Sequence, residues 1–385
     1  MPNSKSTENK DSHSIFDIFD LESEDFWYSI WILVREVKWY IDLASLVIAF
    51  VGFFGNIFHL AVLTRKSMRI LSVSTFLISI AICDFVRMMS TIVTLSPIFY
   101  REYLSLHVRL KCQPPPSYLE MYIIYVFHSL ETVSMNLSVW FAVFMTIFRA
   151  LAIRYPLNKR IKSLITSESG LCTVITITIL ILPFCCLSFF LRTLFPASTW
   201  YPSPGCKKFS KGYTQIQYRL LATELSGELG TETSEIMQKV EGLLFKFLPS
   251  VVLSLATFAL VFAIRKHKKK NCTPGNKSDK EKTTKLVSFV TFTFLIAIVP
   301  QGILFMIMFK VFETSMMGAV IDELSTALSF LSVINGTIHL LIIYFMCSEY
   351  RKTIRCMFCR KSKPSISAIT LTETGNMTHN TKNTI

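Results

Sequence analysis

Apolar and polar positions in this chain are sorted on a long wavelength. Seven windows of about 18 or more mostly apolar residues stand out, at 42–64, 71–98, 122–147, 170–193, 243–264, 286–309 and 319–346. Between them Lys, Arg, Asp, Glu, Pro and Gly gather. A hydrocarbon core of about 30 Å is crossed by about 20 apolar residues in a helix. The pattern therefore predicts an all-α integral membrane protein, a seven-transmembrane helix bundle. The second window is interrupted by Asp84 and Arg87, the third by His128 and Glu131. No internal repeat of the inverted-repeat transporter kind is visible.

Composition agrees. Hydrophobic residues make up 51% of the chain and charged residues 17%, too little charge for a chain that faces water throughout. Residues 1–40 hold no early apolar stretch of the signal-peptide kind, so the first span is expected to act as a signal anchor. Basic residues set the orientation. Arg65, Lys66 and Arg69 follow span one. Arg154, Lys159, Arg160 and Lys162 follow span three, and Arg265, Lys266, Lys268, Lys269 and Lys270 follow span five. The other side is mixed, with Asp17, Asp20, Glu22, Glu24 and Asp25, then Glu224, Glu228, Glu232 and Glu235. The N-terminus is thus expected outside and the C-terminus in the cytoplasm. The net charge of +14 is mostly this bias and implies no nucleic-acid partner.

Four segments follow: an extracellular N-terminal segment at 1–40, a seven-span domain at 41–347, a membrane-surface amphipathic helix at 348–362 and a disordered cytoplasmic tail at 363–385. Of ten cysteines, only Cys112 and Cys206 fall in expected extracellular loops. On the oxidising side such a pair predicts one disulfide, with two free thiols as the alternative. Asn136 and Asn335 begin sequons inside spans. Asn271, Asn276 and Asn376 begin sequons on the cytoplasmic side, so none is expected to be glycosylated.

The residues inside the spans narrow the class. Span one holds Gly55-Asn56, and span two holds Asp84 after Leu77-Ile-Ser-Ile-Ala-Ile-Cys. Span three ends in Phe148-Arg149-Ala150-Leu-Ala-Ile-Arg-Tyr-Pro-Leu. Spans five and six carry Pro249 and Pro300, and span seven reads Asn335-Gly-Thr-Ile-His339, followed by Ser348-Glu-Tyr350-Arg351-Lys352. In this order the set resembles the rhodopsin-like G-protein-coupled receptors. Within them the chain looks most like the nematode serpentine chemoreceptors of class W, akin to FMRFamide-type neuropeptide receptors. Cys112-Gln-Pro-Pro-Pro-Ser-Tyr, the run Ser138 to Arg149, Thr283-Thr-Lys-Leu and Asn335 to Lys352 carry that likeness.

The resemblance implies a plasma-membrane receptor for an extracellular ligand that activates a heterotrimeric G protein. It favours a short FMRFamide-like peptide, with a small chemosensory molecule as runner-up. It implies a role for Arg149 in contacting the G protein, pivoting at Pro249 and Pro300, and an ion pocket of Asp84, Ser138, Asn335 and His339 for a sodium ion or a proton. An ionisable group in lipid is costly unless paired. Arg87, three residues from Asp84 on the same helix face, is the alternative neutraliser.

Glu131 lies 18 residues before Arg149, five helical turns and about 27 Å. It is expected near the extracellular mouth, where a carboxylate receives a cationic ligand group. Its alternative partner is Arg87. Asp322 and Glu323, at the outer end of span seven, are further ligand candidates, with a solvated helix end as the alternative. Cys356 and Cys359, on the basic segment after span seven, are candidates for lipidation beside the membrane. The Lys-rich run 265–285 is expected to meet anionic lipid.

Departures from the receptor pattern are specific. The acidic residue before the span-three arginine is Phe148 and the tyrosine after it is Ala150. The aromatic before the span-six proline is Ile298. His339-Leu340 stands for the Asn-Pro pair of span seven, whose tyrosine aligns with Ile343, Tyr344 being next door. Span four lacks its tryptophan. Counting twenty residues back from Pro300 gives Lys280, with Glu281 adjacent as the nearest acid for Arg149.

Other classes fit less well. A retinal protein needs a lysine in span seven, and 319–346 has none. An intramembrane enzyme needs a nucleophile–base pair or a metal cluster. His59, His128 and His339 lie on three spans without ligand spacing. A seven-span ligand-gated channel is the strongest rival, and it lacks the Arg149 context.

Overall fold

The computed structural model describes residues 21–65, 72–108, 112–155, 157–164, 166–206, 208–210, 212–222, 236–237, 239–270, 279–308 and 315–358. Within them, seven helices are long and apolar enough to cross a membrane. Span one is α1 (Leu21–Leu63), span two α2 (Ser72–His107) and span three α3 (Tyr118–Arg154). A short α4 (Lys159–Leu164) leads to α5 (Ser167–Phe190), which is span four. Span five joins a π-helical turn (Leu243–Phe247) to α6 (Leu248–Lys270). Spans six and seven are α7 (Asp279–Met308) and α8 (Met316–Met346), and α9 (Ser348–Phe358) follows.

Local chemistry accounts for several boundaries. Ser117 accepts a hydrogen bond from the Glu120 amide at the start of α3, and Glu120 adds an acid to the first turn. Thr166 caps α5 through the Ser169 amide, and Ser315 caps α8 through that of Gly318. The π-turn ends two residues before Pro249. Proline offers no N–H to the carbonyl four residues back and its ring crowds it, so the wider turn absorbs the mismatch.

The helices close into a ring. α1 packs on α2 and α8, α2 on α3 and α5, α3 on α5, α6 and α7, and α7 on α6 and α8. Phe76, Phe141, Met145, Leu253, Val290, Phe294 and Ile343 lie in one buried cluster. Large apolar side chains also point outward, Phe258 at 74% exposure and Leu180 at 72%, as suits a surface solvated by lipid tails. In lipid, close packing replaces the hydrophobic effect between helices. α1 and α8 approach so closely that a Cβ on Gly52 would stand 2.5 Å from Thr337 Oγ1.

Two features add to the expectation. First, helix runs unbroken through the boundary expected at 40/41. α1 has 43 residues, about 64 Å at ~1.5 Å per residue, twice the hydrocarbon thickness. Lys38 in its upper half pairs with Glu323 of α8 at 3.3 Å and with Asp42 at 3.5 Å. Second, the loop after span four is a hairpin. β1 (Arg192–Trp200) pairs antiparallel with β2 (Gln215–Ala222), with a bulge between Pro196 and Ser198. Gly212 turns the chain at φ +87° just before β2. α9 runs to Phe358 inside the expected 348–362 segment, and residues 359–362 lie outside the described residues. Residues 363–385, and with them the expected tail, lie outside the described residues.

Candidate functional site

At one end of the bundle Cys112 and Cys206 are joined, with a Cα–Cα distance of 5.5 Å. The bond ties the residues before α3 to the segment between β1 and β2. Gln215 Nε2 donates to the Pro115 carbonyl at 2.7 Å, and Tyr118 and Tyr218 meet edge to face at 5.2 Å. The hairpin is thus fixed over the start of α3. Arg149 lies at the opposite end.

Midway between the two ends is a buried polar cluster. Asp84 and Arg87 lie on one face of α2, at 0% and 2% exposure. Arg87 Nη2 stands 3.3 Å from Asp84 Oδ1 and donates to Ser138 Oγ of α3 at 2.8 Å. Arg87 Nη1 donates to the Ser332 carbonyl of α8 at 2.9 Å. His339 Nδ1 stands 2.8 Å from Asp84 Oδ2. An ionised carboxylate only accepts, so Nδ1 carries the proton of that bond. The His339 ring rests on Phe294 of α7 at 4.8 Å, and Gln301 of α7 donates to Ser332 Oγ at 3.2 Å. Spans two, three, six and seven are thereby joined at one level. A Cβ on Gly336 would stand 3.0 Å from Asp84 Oδ1, so a side chain there would crowd the carboxylate.

The four residues expected to form an ion pocket are buried together here, but the donor set does not fit a sodium ion. Asp84 supplies one negative charge and the Arg87 guanidinium already faces it. Ser138 turns its oxygen to the same guanidinium. A second cation against this carboxylate would sit beside the first. Two unit charges ~4 Å apart at an effective dielectric of ~20 repel by about 4 kcal/mol. The acceptor left over, Asn335 Oδ1, suits a neutral donor. The salt-bridged alternative for Asp84 is the arrangement found.

Glu131 stands seven residues nearer the disulfide end of α3 than Ser138, about 10 Å along the helix. It lies within electrostatic reach of Arg87 and beside Thr91. Glu323 pairs with Lys38 of α1 at 3.3 Å. Asp322 is exposed at the same end and shares a field with Lys246 of the π-turn, as does Glu241. Lys246 went unnoticed in the sequence, although a lone lysine in an apolar window is itself a signal.

At the opposite end Arg149 is 6% exposed, and among the described residues its Nε and Nη2 have no hydrogen-bond partner. The neighbouring Phe148 ring meets Phe76 edge to face at 5.4 Å. Thr146 and Thr291 link α3 to α7. Glu281 lies on α7, but its side chain is outside what the structure describes. Tyr350 of α9 is fully buried against α1, its hydroxyl 2.9 Å from His59 Nδ1. Burial pushes the Tyr350 phenol above its ordinary range. Arg351 Nη1 caps α8 by donating to the Tyr344 and Phe345 carbonyls at 3.0 and 2.6 Å. Ile343 faces the core and Tyr344 is 41% exposed, so Tyr344 does not stand in for the missing span-seven tyrosine. Pro249 is buried beside the π-turn and Pro300 lies inside α7. Cys356 is exposed on α9, and Cys359 lies outside the described residues. Among those residues no group of three or more His, Cys, Asp or Glu could hold a metal ion.

A closed ring of seven membrane-length helices, crossed at mid-height by buried charge, defines a multi-pass membrane protein of the serpentine receptor type. More narrowly, residues 43–361 match the family model described as "Serpentine type 7TM GPCR chemoreceptor Srw", and the chain belongs to that family. Among curated proteins, none matches it.

Proposed function

We propose that this protein is a plasma-membrane receptor, N-terminus outside, that binds a short amidated, cationic peptide of FMRFamide-like type and activates a heterotrimeric G protein. Supporting this is one relationship along α3. Glu131 sits in the half nearer the disulfide, and Arg149 is buried at the other end with Nε and Nη2 unpaired among the described residues. Glu131 and Asp322 supply carboxylates for a cationic group. The hairpin fixed by Cys112–Cys206 walls the same end. Arg149 is the group that meets the G protein when α6 and α7 move apart from α3, pivoting near Pro249 and Pro300. α9 lies along the cytoplasmic surface of the membrane, with Cys356 and Cys359 as lipidation sites.

The family description favours a second ligand class, a small chemosensory molecule. A reporter screen of amidated peptides against a small-molecule set, in cells expressing the full chain, decides between them. Peptide responses that vanish in Glu131→Gln support the first reading. Responses confined to small molecules overturn it. A response abolished by removing external ions, with no G-protein activation, would instead indicate a ligand-gated channel.

A further inference from the structure

We infer that Arg87 is a tethered cation occupying the place of a mobile monovalent ion at the centre of the bundle, so that the resting fold is indifferent to sodium. This concerns the cluster alone and needs neither a ligand nor a G protein.

Three oxygens from three helices converge on the guanidinium: Asp84 Oδ1 of α2, Ser138 Oγ of α3 and the Ser332 carbonyl of α8. Carboxylate, hydroxyl and carbonyl are also the oxygen types a hard cation takes. A guanidinium presents five N–H donors in a planar fork and stays charged at any physiological pH. It therefore reaches oxygens on three helices through two of its nitrogens. Ser138 donates its own proton to the Met135 carbonyl at 3.0 Å, which leaves its oxygen facing Arg87 as an acceptor. The second carboxylate oxygen is taken by His339. The pair's formal charge is closed within α2.

Tethering changes the thermodynamics. A diffusible ion stabilises a fold in proportion to its occupancy, and so to its bulk concentration. Arg87 is three residues from Asp84 on one helix, so its local concentration is fixed. It ties spans two, three and seven together whatever the external salt.

The test is thermal unfolding of the purified full-length protein in lipid nanodiscs, followed by tryptophan fluorescence. Chloride salts of sodium, potassium and N-methylglucamine are compared at equal ionic strength. Wild type is expected to melt at the same temperature in all three. Arg87→Met removes the cation but keeps much of the volume, and is expected to melt a few degrees higher in sodium than in N-methylglucamine. The double variant Arg87→Met with Asp84→Asn is expected to lose that difference. A wild-type protein stabilised by sodium, with the effect lost in Asp84→Asn, overturns the inference. So does a folded Arg87→Met protein without sodium preference. If Arg87→Met fails to fold, the wild-type comparison decides alone.

Discussion

Thr146 of α3 and Thr291 of α7 bring their hydroxyl oxygens to 2.9 Å in a fully buried contact, less than one turn before Arg149. Each oxygen also lies 2.7 Å from a carbonyl of its own helix, Ala142 and Val287. A hydroxyl has one proton, so one threonine keeps its carbonyl while the other donates across the gap. This is a polar tie between spans three and six at the end where an ion pair was sought. Thr146→Val keeps the shape and removes the tie. A neutral hydrogen bond is worth about 0.5–1.5 kcal/mol net, so ligand-independent signalling should rise by roughly 2- to 12-fold while the active fraction is small. Basal reporter output per surface receptor measures it. Output at or below wild type would mean the tie does not restrain opening.

Phe148 occupies the place of an acid beside Arg149, and its ring rests on Phe76. Phe148→Asp would supply a partner for the unpaired Nε and Nη2 of Arg149. Basal output should fall, by up to about tenfold for a pair worth ~1.4 kcal/mol. Glu281→Ala should raise it if that acid pairs with Arg149. No change in either would place the resting restraint in packing and in Thr146.

Cys112→Ser and Cys206→Ser should lower surface expression equally, and the double variant should match either single one. Losing a native disulfide costs about 2–5 kcal/mol in small secreted domains. Here the helix bundle carries much of the stability, so the hairpin region should suffer most. Additive losses, read by surface labelling, would show that the two thiols act separately.

The placement of basic residues predicts that a tag near residue 5 is accessible on intact cells and a tag near residue 380 only after permeabilisation. The reverse staining would invert the proposed orientation and remove Glu131 from the ligand side.

How far the sequence could be read follows from what lipid demands. A span must be apolar over about 20 residues, so the seven windows stood out. The same criterion reports lipid contact, not helix, and so missed the upper half of α1. There, Glu36, Lys38 and Asp42 interrupt the apolar run while the helix continues. The hairpin was hidden because Pro196, Ser198 and the neighbouring Thr199 read as loop chemistry. Asp84 and Arg87 were legible as a pair because they are local, three residues apart on a helix. Lys38 with Glu323, His59 with Tyr350 and Thr146 with Thr291 were not. Each joins helices far apart in sequence, and only the ring's closure decides which faces meet.

Arg149 offers the sharpest separation of function from stability. A structural arginine in its position would use its donors, and truncating it would strand its partners at a cost of several kcal/mol. Arg149 is buried with two of its three nitrogens unpaired among the described residues, so its desolvation is little repaid by them. Arg149→Ala should therefore melt no lower than wild type and reach the surface normally, while the maximal G-protein response falls at least about tenfold, or ~1.4 kcal/mol of coupling. The two readouts are independent: thermal unfolding in nanodiscs and reporter output per surface receptor. A variant that melts several degrees lower and signals in proportion to its remaining surface level would make Arg149 a packing residue. A stable variant that is silent leaves transmission to the G protein as the reason a charge is kept there at the expense of the fold.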